Sequence, residues 1–135
     1  MDVAQRRVGS IERGLLVYVG IGKDDTEKDA QWMADKIANL RIFSDSEYKM
    51  NRSALDEQAE ILVVSQFTLY ADARKGRRPS YNDAAPPDSA RTMYELFIRK
   101  MKASGLRVET GEYQAIMDVG YVNMGPVTIL LDTQK

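Results

Sequence analysis

The run Ile61-Leu62-Val63-Val64, continued by Ser65-Gln66-Phe67-Thr68-Leu69, carries no charge over its whole length. A short apolar run without polar alternation is buried on both faces, so it demands a central strand with other structure above and below it. Its partners are legible on either side. Leu15-Leu16-Val17-Tyr18-Val19 is a second apolar, β-branched run, closed by Gly20 and Gly22, and reads as a buried strand. Thr26 is placed to cap a helix in which Ala30, Met33, Ala34, Ile37 and Leu40 recur at three- and four-residue steps. Trp32 falls off the centre of that stripe, at a helix edge or in a subunit contact.

Ser44 to Asn51 is polar and turn-rich and is expected to be a loop. Pro86-Pro87-Asp88 opens a second helix with Met93 or Tyr94, Phe97, Met101 and Ser104 at helical spacing, and Gly105 is placed as its C-terminal cap. Leu106–Val108, Tyr113–Val122 and Val127–Leu131 are expected to form two or three antiparallel strands, with Asn123-Met124-Gly125-Pro126 turning between the last two. Residues 1–135 thus read as one mixed α/β domain without repeats or linkers.

The chain has no cysteine and no histidine. A disulfide framework, thiolate catalysis, a Ser-His-Asp triad and a Cys/His zinc site are therefore excluded. No acidic loop has the spacing of an EF-hand, and no metal or organic cofactor is implied. No apolar run approaches the roughly 20 residues that span a bilayer. Met1–Arg7 lacks a signal-peptide apolar region. A cytoplasmic chain with no membrane partner is expected.

Nineteen Lys and Arg residues against 20 Asp and Glu residues give a formal net charge of −1. Bulk electrostatics therefore cannot drive nucleic-acid binding, DNA is not an expected partner, and any RNA contact must be local. The segment Arg74-Lys75-Gly76-Arg77-Arg78 concentrates four positive charges around a glycine, which marks a loop. It is either a solvated surface loop or a phosphate contact.

Two short segments carry candidate chemistry. Ser65-Gln66-Phe67 ends the central strand, and Gly125-Pro126-Val127-Thr128 interrupts the apolar C-terminal stretch. Ser65 without a base is a poor nucleophile and reads as a hydrogen-bond donor or an oxyanion element. Gln66 and Phe67 are strand and core residues or the wall of a pocket. Thr128 is an attacking hydroxyl or an ordinary strand threonine. Gly125-Pro126 is a plain turn, or a place where the backbone approaches a ligand with two carbonyls aligned.

Taken together with Gly14-Leu15-Leu16-Val17, Arg41-Ile42-Phe43-Ser44-Asp45 and Lys49-Met50-Asn51, these segments resemble the D-aminoacyl-tRNA deacylases over nearly the whole chain, in order. The resemblance implies two β layers covered by a helical layer. It implies hydrolysis of the ester between a D-amino acid and the 3′ end of tRNA, with glycyl-tRNA also fitting. It also implies a homodimer in which a Gly-cisPro motif, here Gly125-Pro126, projects its carbonyls into the partner's site and leaves no room for an L side chain. Ser65, Gln66, Phe67 and Thr128 would line the catalytic site, and Arg77 and Arg78 would contact phosphate beside the terminal nucleotide. The 2′-hydroxyl of the terminal adenosine would help activate water.

The start of the chain departs from the family. Similar proteins carry an additional first strand with a Gln-Arg-Val segment well before Gly-Leu-Leu-Val, whose arginine helps hold the Gly-Pro region. Gln5-Arg6-Arg7-Val8 stands too close to Gly14-Leu15 to be that segment, so the first family strand is expected to be missing. A start assigned too late is favoured over a replaced strand, because loss of a central strand leaves an unpaired edge.

Overall fold

The computed structural model describes residues 1–3, 6–124 and 127–134. The elements run β1 (Asp2–Val3), β2 (Arg6–Arg7), β3 (Gly14–Val19), α1 (Glu27–Asn39), β4 (Phe43–Ser44), β5 (Met50–Arg52), α2 (Ala54–Glu57), β6 (Glu60–Ser65), a 3₁₀ turn (Phe67–Tyr70), α3 (Pro87–Ala103) and β7 (Val108–Thr110). At the centre stands a three-stranded sheet in the order β3-β6-β7. The uncharged run is its middle strand, with Val63 opposite Val17 on one side and Thr110 on the other.

Alternation along β6 sorts its side chains to two different cores, as the strand period of two requires. Ile61 and Val63 face a large cluster built with α1 and α3, including Ala34, Ile37, Tyr94, Phe97 and Met101. Leu62 and Val64 face a smaller cluster with Met1, Val8, Leu16, Met117 and Val119. Helices therefore cover one face. The β1–β2 hairpin covers the other, joined to the extended stretch after residue 116 by paired bonds between Asp2 and Asp118 (N···O 2.8 and 2.9 Å). The fold is mixed α/β, and no helix among the described residues is long and apolar enough to cross a membrane.

The helix signals hold. The Asp29 carboxylate accepts from the Thr26 amide at 2.8 Å, closing the N-terminus of α1. Pro87 opens α3 without losing a needed donor, and Gly105, at φ +94°, lies just beyond its C-terminal Ser104 cap. Trp32 is 41% exposed, with the Lys36 ammonium 5.3 Å from its ring centroid.

Two expectations are corrected. Ser44–Asn51 is not simply a loop, because β4 and β5 pair as a small antiparallel hairpin. The Asp45 carboxylate organises it by accepting from the amides of Glu47 (2.8 Å) and Lys49 (3.0 Å) and from the Asn51 side chain (2.7 Å). Those bonds hold the Asp45 carboxyl below its ordinary pKa, the Lys49 amide contributing most.

The C-terminal third also differs. Its strand, Val108–Thr110, runs parallel to β6. The 17-residue helix α3 returns the chain to the same end of the sheet, which makes the next strand parallel. Tyr113–Val122 and Val127–Leu131 form no strand among the described residues beyond the single Asp2–Asp118 bridge. Their β-type residues find no neighbouring ladder among the described residues.

Candidate functional site

The central strand ends where the candidate chemistry begins. Ser65 is its last residue, and the Gln66 amide donates to the Val19 carbonyl at 2.8 Å, so the strand pairing continues one residue further. The backbone then tightens into the 3₁₀ turn, with the Leu69 amide donating back to the Gln66 carbonyl at 3.2 Å. Gln66 turns its side-chain amide onto the Thr68 hydroxyl.

Two glycines let this turn sit close against the end of β3. A Cβ on Gly20 would lie 3.1 Å from the Gln66 carbonyl oxygen, and one on Gly22 only 2.6 Å from the Tyr70 hydroxyl. The Gly20-Ile21-Gly22 spacing that closes β3 is thus a packing requirement of the turn.

Phe67 is not a core residue. It is 58% exposed and meets Tyr81 edge-on, with ring centroids 5.1 Å apart and planes at 62°. That contact ties the strand end to the segment that closes the basic loop. Nearby, the Lys23 amide donates to the Asp83 carbonyl (3.1 Å) and the Ala85 amide to the Ile21 carbonyl (2.9 Å). The base of the loop is therefore fastened to the segment that follows β3, the strand paired with the one that carries Ser65.

The loop is a ribbon closed by two backbone bonds between Asp72 and Ser80, at 2.7 and 2.8 Å. Gly76, at φ +67°, makes its turn, which glycine adopts without the cost a side chain incurs there. Arg74 is bound to Asp72, whereas Lys75, Arg77 and Arg78 are exposed and make no ion pair among the described residues. Arg77 and Arg78 are thus open to solvent, on an anchored base.

Beside the loop, Asp25, Asp83, Asp132, Tyr70 and Arg74 line an open cleft of about 530 Å³. Burial, followed by the field of Asp25, pushes the Tyr70 hydroxyl up to about 12, so it stays protonated in neutral solution. Desolvation also raises the Asp25 carboxyl, opposed by the Gly22 amide, which donates to it at 2.7 Å.

The remaining candidates are Thr128, Gly125 and Pro126. Thr128 is exposed, and its hydroxyl accepts from the Asn123 side chain at 3.2 Å. No hydrogen bond joins it to Ser65, Gln66 or Phe67 among the described residues. Gly125 and Pro126 lie outside the described residues. No base bonds to the Ser65 hydroxyl among those residues either. Sequence reasoning missed Tyr81, Asp72 and Tyr70. Only Tyr70 had a foretelling signal, in the two glycines that receive it.

Comparison with known proteins finds relatives along nearly the whole chain. The family model described as D-Tyr-tRNA(Tyr) deacylase matches residues 1–132. A protein named D-aminoacyl-tRNA deacylase from Thermotoga petrophila is 57% identical over 133 residues, covering 98% of this chain and 89% of that protein. Another of the same name, from Desulfotalea psychrophila, is 57% identical over 135 residues, covering 100% and 91%. Among solved structures, one titled c-Myc DNA Unwinding Element Binding Protein superposes with a TM-score of 0.91 at 38% identity, covering 98% of this chain and 90% of that one. On the match along nearly its full length and on the identity to these relatives, the chain belongs to the D-Tyr-tRNA(Tyr) deacylase family.

Proposed function

We propose that this protein hydrolyses the ester joining a D-amino acid to the 3′ end of tRNA, releasing free tRNA and the D-amino acid, and that glycyl-tRNA is a second substrate. The observation that carries this reading is family membership across residues 1–132, with a deacylase name on relatives at 57% identity. The chemistry suits a site without histidine or cysteine. Water adds to the ester carbonyl carbon, the bond to the ribose 3′-oxygen breaks, and that oxygen leaves with a proton. The 2′-hydroxyl of the terminal adenosine assists the attacking water, so the protein supplies placement and stabilisation of the developing oxyanion. Ser65 and the exposed Phe67 line the acyl end of the site, with Gln66 setting the turn between them. Arg77 and Arg78 meet phosphate.

Selection for the D hand requires a barrier that an L side chain strikes. In this reading the carbonyls of a cis Gly125-Pro126 turn form it, reaching across a homodimer into the partner's site and receiving the substrate amino group. Glycine has no side chain to exclude, hence the second substrate. The apolar residues flanking the turn support a partner surface: Val122 is 85% exposed, Met124 78% and Leu130 81%. Thr128 would stand beside that turn as a positioning hydroxyl.

Hydrolysis of D-Tyr-tRNA carrying either the natural or a 2′-deoxy terminal adenosine tests the mechanism. Loss of reaction with the deoxy substrate, together with substantial hydrolysis by Ser65→Ala and Thr128→Ala, is the expected pattern. A folded but wholly inactive Thr128→Ala would overturn the substrate-assisted step. Gly125→Ala should impair D-aminoacyl hydrolysis by placing a methyl group in the pocket.

A second reading, a non-catalytic nucleic-acid-binding module using the Arg74–Arg78 loop, draws on the name of the 38% identical solved structure. It predicts salt-dependent binding of nucleic acid with no release of the amino acid from any aminoacyl-tRNA.

A further inference from the structure

The basic loop has almost nothing to hold it except Asp72. Residues 73 to 79 are all exposed, so no apolar packing fixes their course. The Asp72 backbone closes the ribbon with Ser80. Its side chain is fully engaged as well. Oδ1 accepts from the Arg74 amide (3.1 Å) and from Nε (2.9 Å), and Oδ2 accepts from Nη2 (2.6 Å). One carboxylate therefore sets the chain direction at the second residue of the loop and holds the first arginine in a two-pronged grip. Two residues later Gly76 turns the chain, and Pro79 fixes φ just before the closing bond to Ser80.

We propose that Asp72 is a positioning residue for tRNA binding, which uses Arg74 as an internal strut so that Lys75, Arg77 and Arg78 meet phosphates in a preset arrangement. The proposal rests on the reading of the loop as a phosphate contact. Its physical content is preorganisation: a loop ordered before binding loses less freedom on binding. The hydrogen bonds from Arg74 hold the Asp72 carboxyl at about 2, so the grip persists throughout the neutral range.

The proposal predicts the opposite sign from simple charge counting. Removing an acid beside three free cations should strengthen anion binding if only net charge matters, and should do so equally for Asp72→Asn and Asp72→Ala. On the positioning account, Asp72→Ala weakens binding of deacylated tRNA by about three- to tenfold. Asp72→Asn, which keeps an oxygen able to accept from the Arg74 amide, should fall between Ala and the parent. KM for aminoacyl-tRNA should rise in step, with kcat unchanged.

The test is a tRNA titration at several salt concentrations with the parent, Asp72→Asn, Asp72→Ala and the pair Arg77→Ala/Arg78→Ala, each verified as folded by its melting curve. The double arginine variant should flatten the log-log salt slope by about 1.4 to 1.8, corresponding to two lost phosphate contacts. If that variant weakens binding while both Asp72 variants bind as well as or better than the parent, the positioning role is overturned and the loop reading stands. If the double arginine variant binds like the parent, the loop reading falls and takes the positioning role with it.

Discussion

Residues 14–110 and residues 111–134 solve the same physical problem with opposite success inside one chain. The first stretch finds partners for its apolar side chains, burying Ile61, Val63, Phe97 and Met101 at 0–1% exposure. The second is comparably rich in β-type residues but leaves Ile116 93% exposed, Val122 85% and Leu130 81%. The difference lies in what each strand can pair with. The strand β6 receives β3 on one edge and β7 on the other, each returned by a helical crossover. The last stretch reaches the core at scattered points: the Gly111 amide donates to the Val63 carbonyl at 3.2 Å, Tyr113 and Leu131 pack on the large cluster, and Met117 and Val119 pack on the small one beside the Asp2–Asp118 bridge. The exposed apolar residues of the last stretch support the partner surface proposed above.

The comparison breaks first on stability. Phe97→Ala should cost about 3–5 kcal/mol in denaturant unfolding, through lost contacts and a cavity the core cannot close. Leu130→Ala should stay within about 0.5 kcal/mol. Similar costs for the two would mean that the C-terminal stretch belongs to the folding core.

A matched pair of glycines sharpens it. Gly22→Ala would place a methyl group 2.6 Å from the Tyr70 hydroxyl, and moving that ring should cost about 1–3 kcal/mol. A Cβ on Gly120 has nothing within 4 Å, so Gly120→Ala should be neutral or slightly stabilising, by under about 1 kcal/mol. Equal destabilisation by both would contradict the close seat of the 3₁₀ turn on the end of β3.

The smallest effect is alkaline. Burial pushes both Tyr70 and Tyr94 up to about 12, and both belong to the well-packed region. A folded-state value above the ordinary phenol value of about 10 means that their contribution is fully present below pH 10 and is lost as pH rises through 12. Phenolate absorbance should show a late-titrating component that shrinks in Tyr70→Phe and in Tyr94→Phe. A titration curve unaltered by either substitution would show that these rings are more open than their packing indicates.

Legibility followed the same division. The continuous run at Ile61, the stripe from Ala30 to Ile37 and the Pro87 start of α3 each state their partner through local periodicity, and each formed where expected. Ser44–Asn51 was misjudged because the Asp45 carboxylate supplies the bonds that make a hairpin from polar residues. Val127–Leu131 carries a strand pattern, but pattern reports propensity and cannot supply the neighbour that a ladder needs. Within the site, Ser65-Gln66-Phe67 stood out as the end of the central strand. The Phe67–Tyr81 contact joins residues 14 apart through a loop, and no periodicity encodes such a meeting.

The central claim is that the site rejects one hand of a chiral ester. Its most direct test is the rate of amino-acid release from D-Tyr-tRNA and L-Tyr-tRNA, charged on the same tRNA and measured under single-turnover conditions. The account predicts rapid release of the D-amino acid, release of glycine from glycyl-tRNA, and L-Tyr-tRNA hydrolysed no faster than in buffer. Equal rates for the two hands, or tight tRNA binding with no D-specific release, would contradict it.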